Sequence, residues 1–276
     1  MHPDISEFSY GYALTETLIS AFPGGLRAAP VFPSLLEEGR PGGGYDVHLP
    51  FTGFPLFLQF KLSHRMVRET ALEAQIGLLI PPFYRMHLRP MKHSQQHPML
   101  LDLEATGSDV YYVAPYFHTP NELNDAYTQR QVVQRSIFIN PSTIGPLPDY
   151  DDHHVSFKRG APTYLCSSNP RILREEEIGG EQFKKNLLND FDRRDVLEPT
   201  EQSARRWADR LEGIVREHSS KIEWINAEKL NNLQDRNPLT RFSYLARTFF
   251  GCNVILVAPP EAYAESPPLT EAPTLR

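Results

Sequence analysis

Hydrophobic positions along the chain follow two rhythms. From Asp4 to Ala21 they recur at helical spacing. At ~100° per residue, Ile5, Phe8, Tyr12, Thr15, Ile19 and Phe22 share one side, and Leu14 and Leu18 widen it. The other side carries Ser6, Ser9, Ala13, Thr17 and Ser20, small enough to admit a close neighbour, with Glu16 at the boundary. Asp4 followed three residues later by Glu7 resembles a capping box, and "PGG" at 23–25 ends the helix. The rhythm then changes to period two. Tyr45–Leu49 and Leu56–Leu62, joined through "PFTGF", predict two strands of a hairpin. "SHRMVRETALEAQIGLLI" is expected to be at least partly helical, "FYRMHLR" a strand, "SQQHPMLLDLEATG" a helix closed by Gly107, and "DVYYVAPY" a strand.

Beyond Tyr116 a helix opens at Thr-Pro in "TPNELNDAYTQRQVV", and "RSIFIN", "HHVSFKRG" and "TYLCSS" predict short strands. "GGEQFKKNLLNDF", "TEQSARRWADRLEGIVREHSSKI" and "PLTRFSYLARTFFG" predict helices, and "NVILVAP" a buried strand returning to the main sheet. The expected fold is therefore α/β: a mixed central sheet flanked by helices, with a largely helical C-terminal extension. Residues 1–118 form the expected core and 119–258 an accessory α/β region packed on it. The Pro-, Glu- and Thr-rich tail 259–276 is expected to be disordered.

Composition narrows the function. A chain of 276 residues, 40% apolar, can bury a sizeable core. A net charge of −6 argues against a protein wrapped in nucleic acid by global charge, but not against a local basic groove. No apolar run reaches the length of a membrane span, and the first residues lack a signal-peptide pattern, so no membrane partner is expected. Cys166 and Cys252 form no CxxC spacing, which fits small buried residues in a reducing cytoplasm. There is no P-loop, no GxGxxG after a strand and no nucleophile elbow.

The chemistry concentrates in "GGGYDVHLPFTGFPLFLQFKLS", residues 42–63. Alternation gives each predicted strand one apolar face and one face with polar groups: Asp46 and His48 on the first, Gln59 and Lys61 on the second. Antiparallel pairing in a compatible register brings Asp46 beside Gln59, with Lys61 one step further along. A carboxylate, an amide oxygen and the Phe60 carbonyl are the hard oxygen donors that Mg2+ or Mn2+ takes. A bound metal stabilises charge on a scissile phosphate, and a lysine beside it orients water or counters developing charge.

This spacing, Asp46 then Gln59, Phe60 and Lys61, resembles the PD-(D/E)xK nuclease superfamily. The glycine run before the Asp and the QxK variant are most similar to the Mrr-type restriction branch. The resemblance covers roughly the first 116 residues and implies a restriction-endonuclease-like core. It also implies a Glu on the preceding helix as an extra metal ligand, matched in order by Glu16. Gln59 departs from the more usual acid and removes one charge from the site.

Basic groups follow at once: His64, Arg65 and Arg68, with His48, are candidates to hold a phosphate backbone. Lys158, Arg159, Arg171 and Arg174 are a second candidate groove. His93 and His97 have the spacing of a metal pair but no third ligand, and "DYDDHH" at 149–154 reads as a polar turn. The expected function is a divalent-metal-dependent nuclease, with DNA the expected substrate, acting in bacterial restriction or anti-phage defence as a homodimer or with a protein partner. Two alternatives stay open: a binding or scaffold subunit that keeps the sheet but not the catalysis, and an RNA-cleaving toxin on the same core.

Overall fold

The computed structural model describes residues 1–21, 54–147, 151–174, 179–191, 201–221, 230–231, 233–234 and 237–257. Helix α1 (Glu7–Ala21) leads into strand β1 (Phe54–Phe60) and strand β2 (Ser63–Met66). A short helix α2 (Leu72–Gln75), strand β3 (Phe83–Leu88), helix α3 (Gln96–Ala105) and strand β4 (Asp109–Pro115) follow. Next come α4 (Pro120–Thr128), β5 (Ser136–Ile139), α5 (Pro141–Ile144), β6 (His153–Phe157), β7 (Thr163–Cys166) and β8 (Arg171–Arg174). Helices α6 (Gly180–Phe191), α7 (Glu201–His218) and α8 (Pro238–Thr248) precede the last strand, β9 (Asn253–Val257).

The expected α/β class is the observed one. One sheet is mixed, in the order β5-β4-β1-β9. Strand β1 runs parallel to β4 in the register Leu56↔Asp109 to Phe60↔Val113, and antiparallel to β9 from Phe54↔Val257 to Leu58↔Asn253. The second sheet, β2-β3-β6-β7-β8, is antiparallel throughout. The short link of Lys61 and Leu62 carries the chain from one sheet to the other.

β1 is buried on both faces, and its side chains divide by parity. Leu56, Leu58 and Phe60 pack with Tyr10, Leu14 and Leu18 of α1. Phe57 points the other way, into the core built by α3, α7, α8 and one face of the second sheet. A strand with a cover on each side needs apolar residues at nearly every position, which is why alternation is weak in "FPLFLQF".

Several expectations need correction. Phe8 and Tyr12 of α1 are 69% and 57% exposed, and the buried side joins Ala13 and Thr17 to Tyr10, Leu14 and Leu18, while Ser6 and Ser9 are exposed. Small residues let the helix approach β1 so closely that a Cβ on Gly11 would stand 2.9 Å from the Phe60 ring. Ser6, not Asp4, caps this helix: its hydroxyl accepts from the Ser9 N–H at 3.0 Å, while the Asp4 N–H donates to the His118 carbonyl. Ser63–Met66 is a strand rather than the start of a helix, and α2 keeps only residues 72–75 of that stretch. The division at residue 118 does not separate the sheets, because β5 and β9 complete the first and β6, β7 and β8 extend the second. The return of "NVILVAP" to the main sheet is seen as β9. The tail 259–276 lies outside the described residues.

Among the described residues no helix is long and apolar enough to cross a membrane. Helix starts are held by side chains where the sequence offers them. Thr119 and Glu122 form a reciprocal capping box on α4, and Asn237 accepts from the N–H groups of Leu239 and Thr240 at α8. Between α7 and α8, Arg241 pairs with buried Glu212 and with Asp209, 2.8 Å away.

Candidate functional site

Asp46 and His48 lie outside the described residues. Along Leu56–Leu58 both edges of β1 are occupied, by β4 and by antiparallel β9, and the expected strand Tyr45–Leu49 lies outside the described residues. The other predicted residues can be placed. Gln59 has the parity of Phe57 and is 3% exposed. It faces α3 and the turn into β9: a Cβ on Gly251 would lie 3.2 Å from Gln59 Nε2 and 2.1 Å from Gln96 Nε2. Gln59 Oε1 is buried and has no hydrogen-bond partner among the described residues. A buried carbonyl oxygen without a donor costs on the order of 1–3 kcal/mol, so this atom is an acceptor with unused capacity.

Lys61 follows just past the end of β1, anchored by its N–H donating to the Val113 carbonyl at 2.9 Å. Burial pulls its ammonium below the ordinary lysine value, and Arg89 adds to that, while Glu7 and Cys252 act in the opposite sense. No hydrogen bond or ion pair neutralises Lys61 among the described residues. A desolvated, unpaired ammonium gives up a proton more readily than a surface lysine. Gln59 and Lys61 therefore sit at the carboxyl end of the parallel β1–β4 pair, the end where open α/β sheets leave room for ligands.

The surroundings are built from α3 and β4. Tyr112 lies opposite Gln59 in the parallel register. His97 Nε2 donates to the Gly145 carbonyl at 2.8 Å, which leaves Nδ1 to accept from the Tyr112 hydroxyl at 2.9 Å. Burial lowers the His97 pKa and keeps this ring neutral. Both nitrogens are thus committed, so His97 is no metal ligand. It is not on one helical turn with His93 either, because α3 begins at Gln96. Gln96 donates from Nε2 to the Phe250 carbonyl at 2.9 Å and closes the site on the α8 side. Burial pushes the Cys252 thiol well up, so it carries no thiolate.

Glu16 is not part of this group. Helix α1 packs on the Leu56, Leu58, Phe60 face of β1, and Gln59 is on the other face. Glu16 accepts from the Ser20 hydroxyl at 2.9 Å, and its charge is the main cause that raises the Tyr127 hydroxyl pKa. The ligand carried over from the resemblance is thereby separated from Gln59 by the sheet itself. The carboxylate of α1 whose charge reaches Lys61 is Glu7. Phe60 lends its ring to Tyr10, edge to face at 5.6 Å.

Of the expected phosphate contacts, His64 stands edge-on to His2 and to His87, each with ring centroids 4.7 Å away. Burial first, and then the neighbouring His87 and His2, bring its pKa down to about 4, so the ring is neutral at pH 7. Arg65 exchanges backbone hydrogen bonds with Met1, and its Nε has no partner among the described residues. Arg68 is exposed. The second candidate groove dissolves: Lys158 donates to the Ile80 carbonyl, Arg159 to the Gln134 carbonyl and Arg171 to the Ile144 carbonyl.

A second polar cluster was not evident from sequence. Glu73 of α2, fully buried, accepts from Arg85, from the His154 ring and from the Ser156 hydroxyl. Burial alone would raise this carboxyl, but those hydrogen bonds outweigh it and hold the pKa well below the usual range. Cys166 completes a group of possible ligand atoms within 4.8 Å of one another. The guanidinium of Arg85 already neutralises the carboxylate, and burial holds the Cys166 thiol up at about 11, which leaves a structural ion pair rather than a cation site.

No family model matches the chain, and neither a curated protein nor a solved structure matches it. The fold and the Gln59–Lys61 geometry therefore stand as the grounds for a functional assignment.

Proposed function

We propose that the chain is a divalent-metal-dependent nuclease that hydrolyses phosphodiester bonds, with DNA as its substrate. It would work in the cytoplasm of a bacterium, in restriction or anti-phage defence, alone as a homodimer or with a protein partner. The observation that carries the proposal is the pairing of an orphaned, buried amide oxygen at Gln59 with an unneutralised, desolvated ammonium at Lys61 on the end of one strand. Two free, buried thiols fit a reducing compartment.

Gln59 Oε1 has the chemistry of a hard-cation ligand, and Asp46 is the carboxylate that the resemblance adds to it. Glu16, turned to the opposite face, leaves the ligand set. Mg2+ or Mn2+ bound there would neutralise phosphate charge and sharpen a water as nucleophile. Lys61 holds the attacking water or faces the charge that grows on the phosphate oxygens. Its lowered pKa also suits it to pass a proton to the leaving oxygen as the P–O bond breaks. Tyr112 and His97, locked to each other and to Gly145, keep the wall opposite Gln59 rigid.

Lys61→Ala tests the assignment. With Mg2+ and a DNA duplex, the rate is expected to fall by roughly 100-fold or more. Cleavage at the wild-type rate would sink the assignment. The near-complete burial of Gln59 beneath Gln96 and Gly251 favours a second reading, a binding subunit that has kept the sheet and lost the chemistry. Calorimetric titration separates the two: a Mn2+ site that vanishes in Gln59→Ala supports the nuclease, and no binding by the wild type supports the subunit.

A further inference from the structure

The sequence stretch "RPMKHSQQ", which joins β3 to α3, has no role in the site so far described. It lines a polar cavity of about 460 Å³ together with the end of α8 and the residue that closes the turn after α7. The charged and polarisable groups around it are Arg89, Lys92, His93 and Lys221, with Gln96 and Met99 at its floor. Among the described residues no carboxylate lines it. None of Arg89, Lys92, His93 and Lys221 makes a side-chain hydrogen bond or ion pair with another described residue. On a chain of net charge −6, three cations and an imidazole without a side-chain partner among the described residues are a concentration of positive potential around one cavity. The first turn of α3 begins in the same wall and holds no acidic residue, so the positive end of the helix adds to the field.

The cavity also adjoins the candidate site. Gln96 belongs to both, lining the cavity while it crowds Gln59 at Gly251. A group bound among Arg89, Lys92 and Lys221 therefore lies next to the position of the Gln59–Lys61 pair. Spaced cations suit the diffuse charge and several acceptor oxygens of a phosphoryl group, and the size of the cavity exceeds one phosphate.

We infer that this cavity is a phosphate-binding subsite for a nucleic acid strand, seating a backbone phosphate flanking the bond at Lys61 through Arg89, Lys92 and Lys221. The identity of the strand rests on the nuclease assignment. The phosphate chemistry rests on the cavity alone.

The test is a binding measurement on the full chain in EDTA, so that no turnover enters. A fluorescein-labelled DNA single strand of roughly 12 nucleotides is titrated by anisotropy over a range of salt. In the Lys92→Ala/Lys221→Ala protein, binding is expected to weaken on the order of ten-fold. The slope of log affinity against log salt is expected to flatten by about 1.4, which is about 0.7 for each lost contact. The pair Lys185→Ala/Arg206→Ala, two exposed cations elsewhere, removes the same charge and is expected to keep both values. All four positions are exposed, and equal melting curves establish that the variants fold. Unchanged affinity and slope in the Lys92/Lys221 variant overturns the inference, as does an equal loss in the control pair. Inorganic phosphate is the second arm: displacement of the strand by phosphate at an equal phosphate concentration assigns the cavity to a small free anion and overturns the strand. The two proposals fail separately. Wild-type cleavage by Lys61→Ala beside a Lys92/Lys221 binding loss sinks the nuclease alone, and the converse result sinks the subsite alone.

Discussion

Gly251→Ala puts a magnitude on the contact between α8, α3 and Gln59. Gly251 holds φ at +64°, in the left-handed region where a side chain costs on the order of 1 kcal/mol. The new methyl would stand 2.1 Å from Gln96 Nε2, so Gln96 must swing away and lose its bond to the Phe250 carbonyl. That loss is about 1 kcal/mol, and more if the carbonyl stays buried without a donor. The total is roughly 2–3 kcal/mol, which for a chain of this size lowers Tm by roughly 4–12 °C. Urea unfolding of the wild type, Gly251→Ala, Gln96→Ala and the double variant forms a cycle. In the Gln96→Ala background the backbone cost and the looser 3.2 Å approach to Gln59 Nε2 remain, so the coupling is expected to be about 1 kcal/mol or more. Equal costs of Gly251→Ala in both backgrounds would refute the steric reasoning, and with it the placement of Gln96 over Gln59.

Gly11→Ala is expected to destabilise by about 1–3 kcal/mol in thermal unfolding, because the methyl meets the Phe60 ring at 2.9 Å; a neutral result would mean that α1 can slide on β1. Glu73→Gln breaks a buried ion pair and is expected to cost about 3 kcal/mol at pH 7. Since the folded pKa of Glu73 lies below the ordinary 4.5, its stabilisation is complete above 4.5 and is lost as pH falls through the folded value, so the cost of Glu73→Gln should shrink in acid. Lys61→Met is expected to raise Tm at pH 7 and, on the nuclease proposal, to abolish cleavage. The depressed lysine pKa penalises the folded state at low and neutral pH and relaxes as pH rises towards 10.5, so the gain should shrink on the alkaline side. A pH-independent gain would mean that packing, and not charge burial, is responsible.

Local signals carried most of the elements of this protein. Short apolar, β-branched and aromatic stretches such as "DVYYVAPY" and "TYLCSS" became β4 and β7, and Thr-Pro with Glu122 started α4, because strand propensity and capping are decided within a few residues. The shared side of Gln59 and Phe57 was legible for the same reason. What lay across the sheet was not. Amphipathic spacing alone put Phe8 and Tyr12 inside, but close packing over Gly11 turned the side with Tyr10, Ala13, Leu14 and Thr17 inward. The resemblance matched Glu16 by order along the chain, and a helix on one face of a two-sided sheet cannot bring it to a residue on the other. The partner edge of β1 went to β9, a strand about two hundred residues later, because β-pairing is a long-range choice that no local window contains. The basic cavity beside Lys61 has the same origin. Arg89 and Lys92 stand three residues apart in a stretch without acids and Lys221 lies far along the chain, and only the tertiary packing brings it to them, with no carboxylate in the lining among the described residues.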